Sequence, residues 1–262
     1  MPKFAANLNF FYGDVPFLER FAAARRDGFN AVEFVSPYEV EPAVVRKAMD
    51  DNKLKTVLFN AAIGSWDAGD RGLTVIGSRE EEFRTLVDKV VPYAKELDCP
   101  RVNVMAGLHT ELSEDKDVTW KRFVERLRYA ADTLGKHGIT VVLEHINTID
   151  MPDYYIATPA MALQAVKEVG RDNCLIQYDM YHAQRMAGEV TGFLRANFKL
   201  IGHIQIADNP NRNQPGTGEM NYKFLLDELD RLGYAGWVGL EYKPTPNPAA
   251  SLAWVKEMGF TL

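Results

Sequence analysis

Short apolar runs rich in β-branched residues alternate with longer stretches whose apolar positions recur every three or four residues, from one end of the chain to the other. A period of two followed by a period near 3.6 is the pattern that βαβ units leave in a sequence. The first run, FAANLNF at 4–10, predicts a strand. In PFLERFAAARRDGF, Phe17, Phe21 and Ala24 share one helical face, Pro16 suits the first turn and Gly28 suits a stop. Further strands are predicted at 31–34, 55–60, 101–106, 140–145, 174–180, 200–208 and 237–243. The helices between and after them are predicted at about 41–52, 79–97, 118–137, 159–169, 183–196, 221–232 and 249–257.

About eight β/α units in 262 residues predict one domain spanning 1–262, a single (β/α)8 TIM barrel. An open doubly wound sheet is the competitor. The glycine pattern that would favour it is missing after the first strand, where the chain reads NFFYGDVPF. The stretch 61–78, AAIGSWDAGDRGLTVIGS, is glycine-rich yet carries Trp66, Leu73, Val75 and Ile76, so it predicts a functional lid loop rather than a linker.

Composition narrows the classes. A net charge of -6 argues against wide contact with nucleic acid, which depends on Lys and Arg at phosphates. No apolar run approaches the roughly 20 residues that cross a bilayer, so a cytoplasmic protein without membrane contact is expected. Cys99 and Cys174 are the two cysteines, expected as small core residues in a reducing compartment.

The candidate chemistry sits at strand ends. Glu144 in TVVLEH, Asp179 in LIQYDM, Gln205 in HIQIAD and Glu241 in WVGLEY each close or nearly close an apolar run. In a barrel such ends share one mouth, and neighbouring strands lie about 4.8 Å apart, so four inward groups can converge. A buried carboxylate must be paired, protonated or bound to a cation. Three carboxylates and an amide oxygen suit a hard divalent metal, Mg²⁺ or Mn²⁺. Glu144 and Glu241, on the outer strands of the set, are the candidate proton carriers for chemistry next to a carbonyl.

Other residues are candidates for substrate contact. His182, in DMYH, has the position to donate a hydrogen bond to a substrate oxygen, and Arg212, in ADNPNRNQPGTGEM, to hold the carboxylate of a small acid. His109, in MAGLHT, and Asn7 and Phe10, with Glu33 at the end of the second strand, are further candidates for the wall of the mouth. His203 shares the parity of Gln205 and is expected inward, one layer deeper; His145 has the opposite parity to Glu144, and His137 reads as a helix-end residue. The PGTG glycines lack nucleotide-loop spacing and read as a turn.

FAANLNFFYGDVPFLERFAAARRDGFNAVEF, IQYDMYHAQRMAGEVT, HIQIADNPNRNQPGTGEMNY and GWVGLEYKP closely resemble the hydroxypyruvate isomerases of the xylose isomerase-like TIM-barrel superfamily, over nearly the whole chain. The resemblance implies interconversion of hydroxypyruvate and tartronate semialdehyde through a cis-enediolate, within glyoxylate and carbohydrate metabolism. It implies metal binding by Glu144, Asp179, Gln205 and Glu241, proton transfer by Glu144 and Glu241, and substrate positioning by His182. Related sugar epimerases commonly carry histidine where Gln205 stands. Close relatives also isomerise 2-oxo-tetronates, the rival substrates. The resemblance and the apolar residues expected on outer helices make a homo-dimer or tetramer an expectation. Zinc-dependent DNA-repair endonucleases of the superfamily would need more histidine ligands and a basic groove. A ligand-binding barrel without catalysis would not need all four oxygen groups.

Overall fold

The computed structural model describes residues 1–61, 63–109 and 115–262; Ala62, within the predicted lid loop, lies outside them. The eight strands are β1 (Lys3–Asn7), β2 (Ala31–Phe34), β3 (Lys55–Asn60), β4 (Arg101–Asn103), β5 (Thr140–Glu144), β6 (Cys174–Asp179), β7 (Ile201–Ile206) and β8 (Trp237–Leu240). They run parallel in sequence order, and β8 pairs with β1, closing the barrel. Among the described residues the surrounding helices are α1 (Leu8–Phe11), α2 (Phe17–Arg26), α3 (Pro42–Asp51), α4 (Glu80–Glu96) and α5 (Lys116–Gly135). The second half adds α6 (Pro159–Val169), α7 (Met180–Met186), α8 (Val190–Asn197), α9 (Tyr222–Leu232) and α10 (Ala253–Glu257).

Local chemistry explains where elements begin and end. The Thr158 hydroxyl accepts the Met161 N–H, Pro159 opens α6, and Gly170 closes it with φ of 62°. The run expected as a strand over 4–10 stops at Asn7, because the Asn7 side chain accepts the Asn9 N–H and starts α1. The helix expected at 183–196 is two helices, separated where Gly188 and Glu189 take positive φ. Met180 enters α7 directly, since Asp179 at the end of β6 caps it by accepting the N–H groups of Tyr181 and His182.

Most of the core lies between barrel and helices. Inside, Ala5, Ala31, Val57 and Val142 fill an apolar floor with Leu175 and Trp237 packed against it. At Gly202, β7 carries one residue more than β6: Ile176 pairs with Ile201 and Gln177 with His203. A methyl group at 202 would stand 2.9 Å from both Leu175 and Val142, so the small residue keeps the floor closed. Above this floor the interior turns polar.

Candidate metal and acid-base centre

The middle layer is built around Glu33, which is fully buried. One of its oxygens accepts from the Asn7 amide at 3.1 Å and the Gln205 amide at 2.7 Å, and the other faces His203 Nε2 at 2.7 Å. His203 is therefore inward and one layer below the mouth, as its parity predicts. Glu33 is thus the partner of this histidine. Gly239, opposite Gln205 on β8, leaves the space that the Glu33 carboxyl occupies. With its NH₂ on Glu33, Gln205 directs its oxygen to the Gln177 amide, 2.6 Å away. One lone pair of that oxygen remains uncommitted.

Above this layer the mouth gathers the acids. Glu144 ends β5, Asp179 ends β6, and Glu241 follows β8 by one residue, its N–H donating to Ile206 O. The Asn103 amide donates to Glu144 Oε2 at 3.0 Å. Asp179 Oδ2 and Glu241 Oε2 are buried with no hydrogen-bond partner among the described residues. Ligand atoms of Glu144, Asp179 and His182 all lie within 4.8 Å of one another. Oxygen donors with orphaned lone pairs fit a hard divalent cation, which would hold Glu144, Asp179, Glu241 and the remaining Gln205 lone pair.

Electrostatics separates the roles. Burial, with Glu241 and Asp179 adding repulsion, pushes the Glu144 carboxyl well above the usual range. Burial also lifts Glu241 to about 8 and Asp179 to about 6, although Arg212 pulls both down. The Arg212 guanidinium lies 3.3 Å from Glu241 Oε1 and 3.8 Å from both Asp179 Oδ2 and Asp150 Oδ2. It sits over the rings of Phe10 and Tyr181, with centroids at 4.6 and 5.1 Å. Burial alone would lower it, but Glu241, Asp179 and Glu144 outweigh that and hold it above its ordinary value.

Arg212 is carried in the left-handed region, φ 58°, by a loop wound around one aspartate. Asp208 Oδ2 accepts the N–H groups of Gly216, Thr217 and Gly218 at 2.8, 3.1 and 3.0 Å. The PGTG segment is thus a nest whose anion is the chain's own carboxylate, and the turn reading of those glycines stands.

His182 lies in the first turn of α7, buried, with Nε2 3.7 Å from Glu144 Oε1 and 3.5 Å from Asp179 Oδ2. Burial, reinforced by Arg212, holds its ring well below the usual histidine range. A cleft of about 830 Å³ opens onto Glu144, His182, Arg212 and Glu241, with Phe10, Asn60 and Lys89 also on its walls. Asn7 and His109 are not among its lining residues. Asn7 supports Glu33 from the paired position on β1, and the His109 ring packs at 5.6 Å on Tyr155. His145 is buried edge-on to Tyr178 and is not among the residues lining the cleft.

The 61–78 loop is held unevenly. Residues 63–67 line the cleft, with Trp66 half exposed beneath the Arg71 guanidinium. The following part is pinned by buried Arg126 of α5, which donates to the carbonyls of Leu73, Ile76 and Gly77 at 2.8, 2.7 and 3.2 Å. Asp70 takes a two-pronged contact from Arg79. The sequence reading missed Asn103 and Gln177, although both are polar residues inside apolar strand runs, a signal that was available. It also missed Asn147 and Asp150, which follow β5 and contact His182 and Tyr181; no local pattern marks them.

A family model described as xylose isomerase-like TIM barrel matches residues 21–258. A Cupriavidus necator protein named 2-oxo-tetronate isomerase is 44% identical, with 98% of each chain covered. The Escherichia coli K12 protein named hydroxypyruvate isomerase is 41% identical over 97% of this chain and 98% of its own. A solved Brucella melitensis structure described as an AP endonuclease of family 2 superposes with a TM-score of 0.94, at 43% identity over 98% of this chain and 99% of that one. Closed barrel, convergent mouth and near-full-length identity agree: this chain belongs to the xylose isomerase-like TIM-barrel family, beside proteins named hydroxypyruvate and 2-oxo-tetronate isomerases, and it is an isomerase.

Proposed function

We propose that this sugar-acid isomerase interconverts hydroxypyruvate and tartronate semialdehyde in the cytoplasm, with Glu144 and Glu241 moving the proton. The observation that carries the reading is the gathering of buried Glu144, Asp179 and Glu241 at the barrel mouth, Glu144 and Glu241 lining the cleft, with Asp179 Oδ2 and Glu241 Oε2 lacking a hydrogen-bond partner among the described residues. One glutamate removes a proton from C3 of hydroxypyruvate, the electrons pass into a C2–C3 enediolate, and the other glutamate delivers a proton to C2, while the hydroxyl proton on O3 passes to O2 and leaves the aldehyde at C3. Two carboxyls raised chiefly by burial, with neighbouring acids adding repulsion, suit this exchange, because one can hold the proton that the other lacks. A divalent cation, Mg²⁺ or Mn²⁺, held by Glu144, Asp179, Gln205 and Glu241, would supply positive charge against the developing oxyanion.

His182 gives a hydrogen bond to a substrate oxygen, and Arg212 holds the substrate carboxylate at the rim while keeping Glu241 and Asp179 in reach. Asn7 acts indirectly through Glu33. The cleft walls on the β2 and β3 side exclude bulk water from the enediolate. Assembly as a homo-dimer or tetramer is part of the same reading.

A second reading has its own support. A 2-oxo-tetronate is one carbon longer, and a cleft of about 830 Å³ has room for it. The same acid-base pair would serve it. The test is turnover of both acids side by side, with and without EDTA. Glu144→Gln and Glu241→Gln are each expected to lose at least about 10³-fold in kcat while remaining folded. Metal content measured in each variant separates loss of the proton carrier from loss of the ion. Near-normal turnover in both variants would remove the assigned roles, and preference for the four-carbon acid would change the substrate alone.

A further inference from the structure

The loop after β5 determines which nitrogen of His182 carries hydrogen. Asn147 Oδ1 accepts the backbone N–H groups of Ile149 and Asp150 at 3.1 and 2.8 Å, so its NH₂ must point the other way. That NH₂ reaches Asp150 Oδ2 at 3.1 Å and His182 Nδ1 at 2.6 Å. The Asn147 backbone N–H also aims at Nδ1, at 3.4 Å. Two donors facing one ring nitrogen require a lone pair there.

With Nδ1 an acceptor, the ring hydrogen is on Nε2, the atom facing Glu144 and Asp179 across 3.7 and 3.5 Å. One contact argues the other way: an Arg212 nitrogen, also a donor, lies 3.4 Å from Nε2. That single long approach is outweighed by the 2.6 Å contact at Nδ1, where a second donor assists.

We propose that Asn147 is a positioning residue that locks His182 as the Nε2–H tautomer, so that the ring enters the centre as a hydrogen-bond donor and not as a metal ligand or a base. Of the three groups clustered at the mouth, Glu144 and Asp179 offer lone pairs to a cation, and His182 offers a hydrogen to a substrate oxygen. Asp150 completes the lock. It accepts from Asn147 and from the Tyr181 hydroxyl at 2.7 Å, tying the loop to α7, where His182 sits. A ring fixed in this way presents its hydrogen before substrate arrives, which is what gives a donor its value at a developing oxyanion.

The inference uses the proposed isomerase chemistry only for its kinetic consequence; the tautomer is read without turnover. Protein carrying ¹⁵N-labelled histidine is compared in long-range ¹H–¹⁵N spectra as wild type and as Asn147→Asp. The wild-type His182 signals are expected to show a bare Nδ1 and a protonated Nε2. In Asn147→Asp the new carboxylate can only accept, so the hydrogen is expected to move to Nδ1, with kcat falling by about 10²-fold. Asn147→Ala is expected to blur the tautomer preference and lose less rate. A wild-type spectrum with hydrogen on Nδ1 or on both nitrogens overturns the proposal, even if Asn147→Asp fails to fold. So does a folded Asn147→Asp protein that keeps the wild-type tautomer. Wild-type protein inactive on both acids but showing protonated Nε2 would sink the assigned reaction and leave the Asn147 lock standing.

Discussion

Gly239→Ala tests the polar layer beneath the mouth with one methyl group. The added carbon would stand 2.5 Å from Glu33 Oε1, whereas ordinary contact begins at 3.4 Å, so the carboxyl must retreat by about 0.9 Å. Glu33 cannot retreat freely, because Gln205 and His203 each hold it at 2.7 Å and Asn7 at 3.1 Å. Stretching the two shorter bonds by that distance takes them beyond useful hydrogen-bond range, and each buried polar group left unsatisfied costs about 1–3 kcal/mol. The expected destabilisation is about 2–5 kcal/mol, or a fall in Tm of roughly 5–15 °C for a chain of this size. Urea unfolding of metal-free protein measures it. Mn²⁺ titration of the same protein should show weaker binding, since Gln205 loses the anchor that orients its oxygen. In a Glu33→Ala background the same methyl should be nearly neutral, because the obstacle is gone. Stability within about 0.5 kcal/mol of wild type, or an equal loss with and without Glu33, would refute the reasoning.

Two other expectations come from the same structure. Glu241, lifted to about 8, keeps its proton in the folded state at neutral pH, and Asp179, lifted to about 6, keeps its proton only in the lower part of the window, whereas both carboxyls release theirs near their ordinary values when unfolded. Folded protein therefore holds more protons across that window, and stability in EDTA should fall as pH rises from about 5 to 8. Excess Mn²⁺ should flatten the slope, and Glu241→Gln should reduce it; melting curves with an identical slope in wild type and Glu241→Gln would contradict the assignment. Arg126→Met removes the charged donors that pin Leu73, Ile76 and Gly77, leaving the Leu73 and Ile76 carbonyls only their backbone donors, Ile76 and Arg79. It should cost about 2–4 kcal/mol and speed amide exchange selectively over 72–78, while unchanged exchange there would show the loop is held by other contacts.

The barrel was legible because each strand is bounded by turn chemistry and followed by an amphipathic stretch, a signal repeated around the ring. Glu144, Asp179, Gln205 and Glu241 stood out because an oxygen side chain at the end of an apolar run is locally anomalous. Less legible was what a single side chain does to the backbone beside it. Asn7 turns a predicted strand into a helical turn, and Gly188 with Glu189 splits a predicted helix, though both are ordinary cap or turn residues in sequence. Asn147 and Asp150 were invisible for a different reason. Their roles exist only once the loop after β5 lies against α7, a contact across 31 to 35 residues that no spacing encodes. Asn7 and His109 show the converse, since nearness to a strand end does not decide whether a side chain reaches the cleft.

The nest around Asp208 also bears on how the rim can be redesigned. Its counter-anion arrives with the polypeptide, so free phosphate or sulfate has no vacancy to fill there, however abundant it is in the buffer. The segment between Asn209 and Glu219, which carries Arg212 itself, is therefore hung from a fixed root. Grafts that keep the aspartate can change the substrate's surroundings, whereas grafts that discard it lose the bearing of the arginine as well.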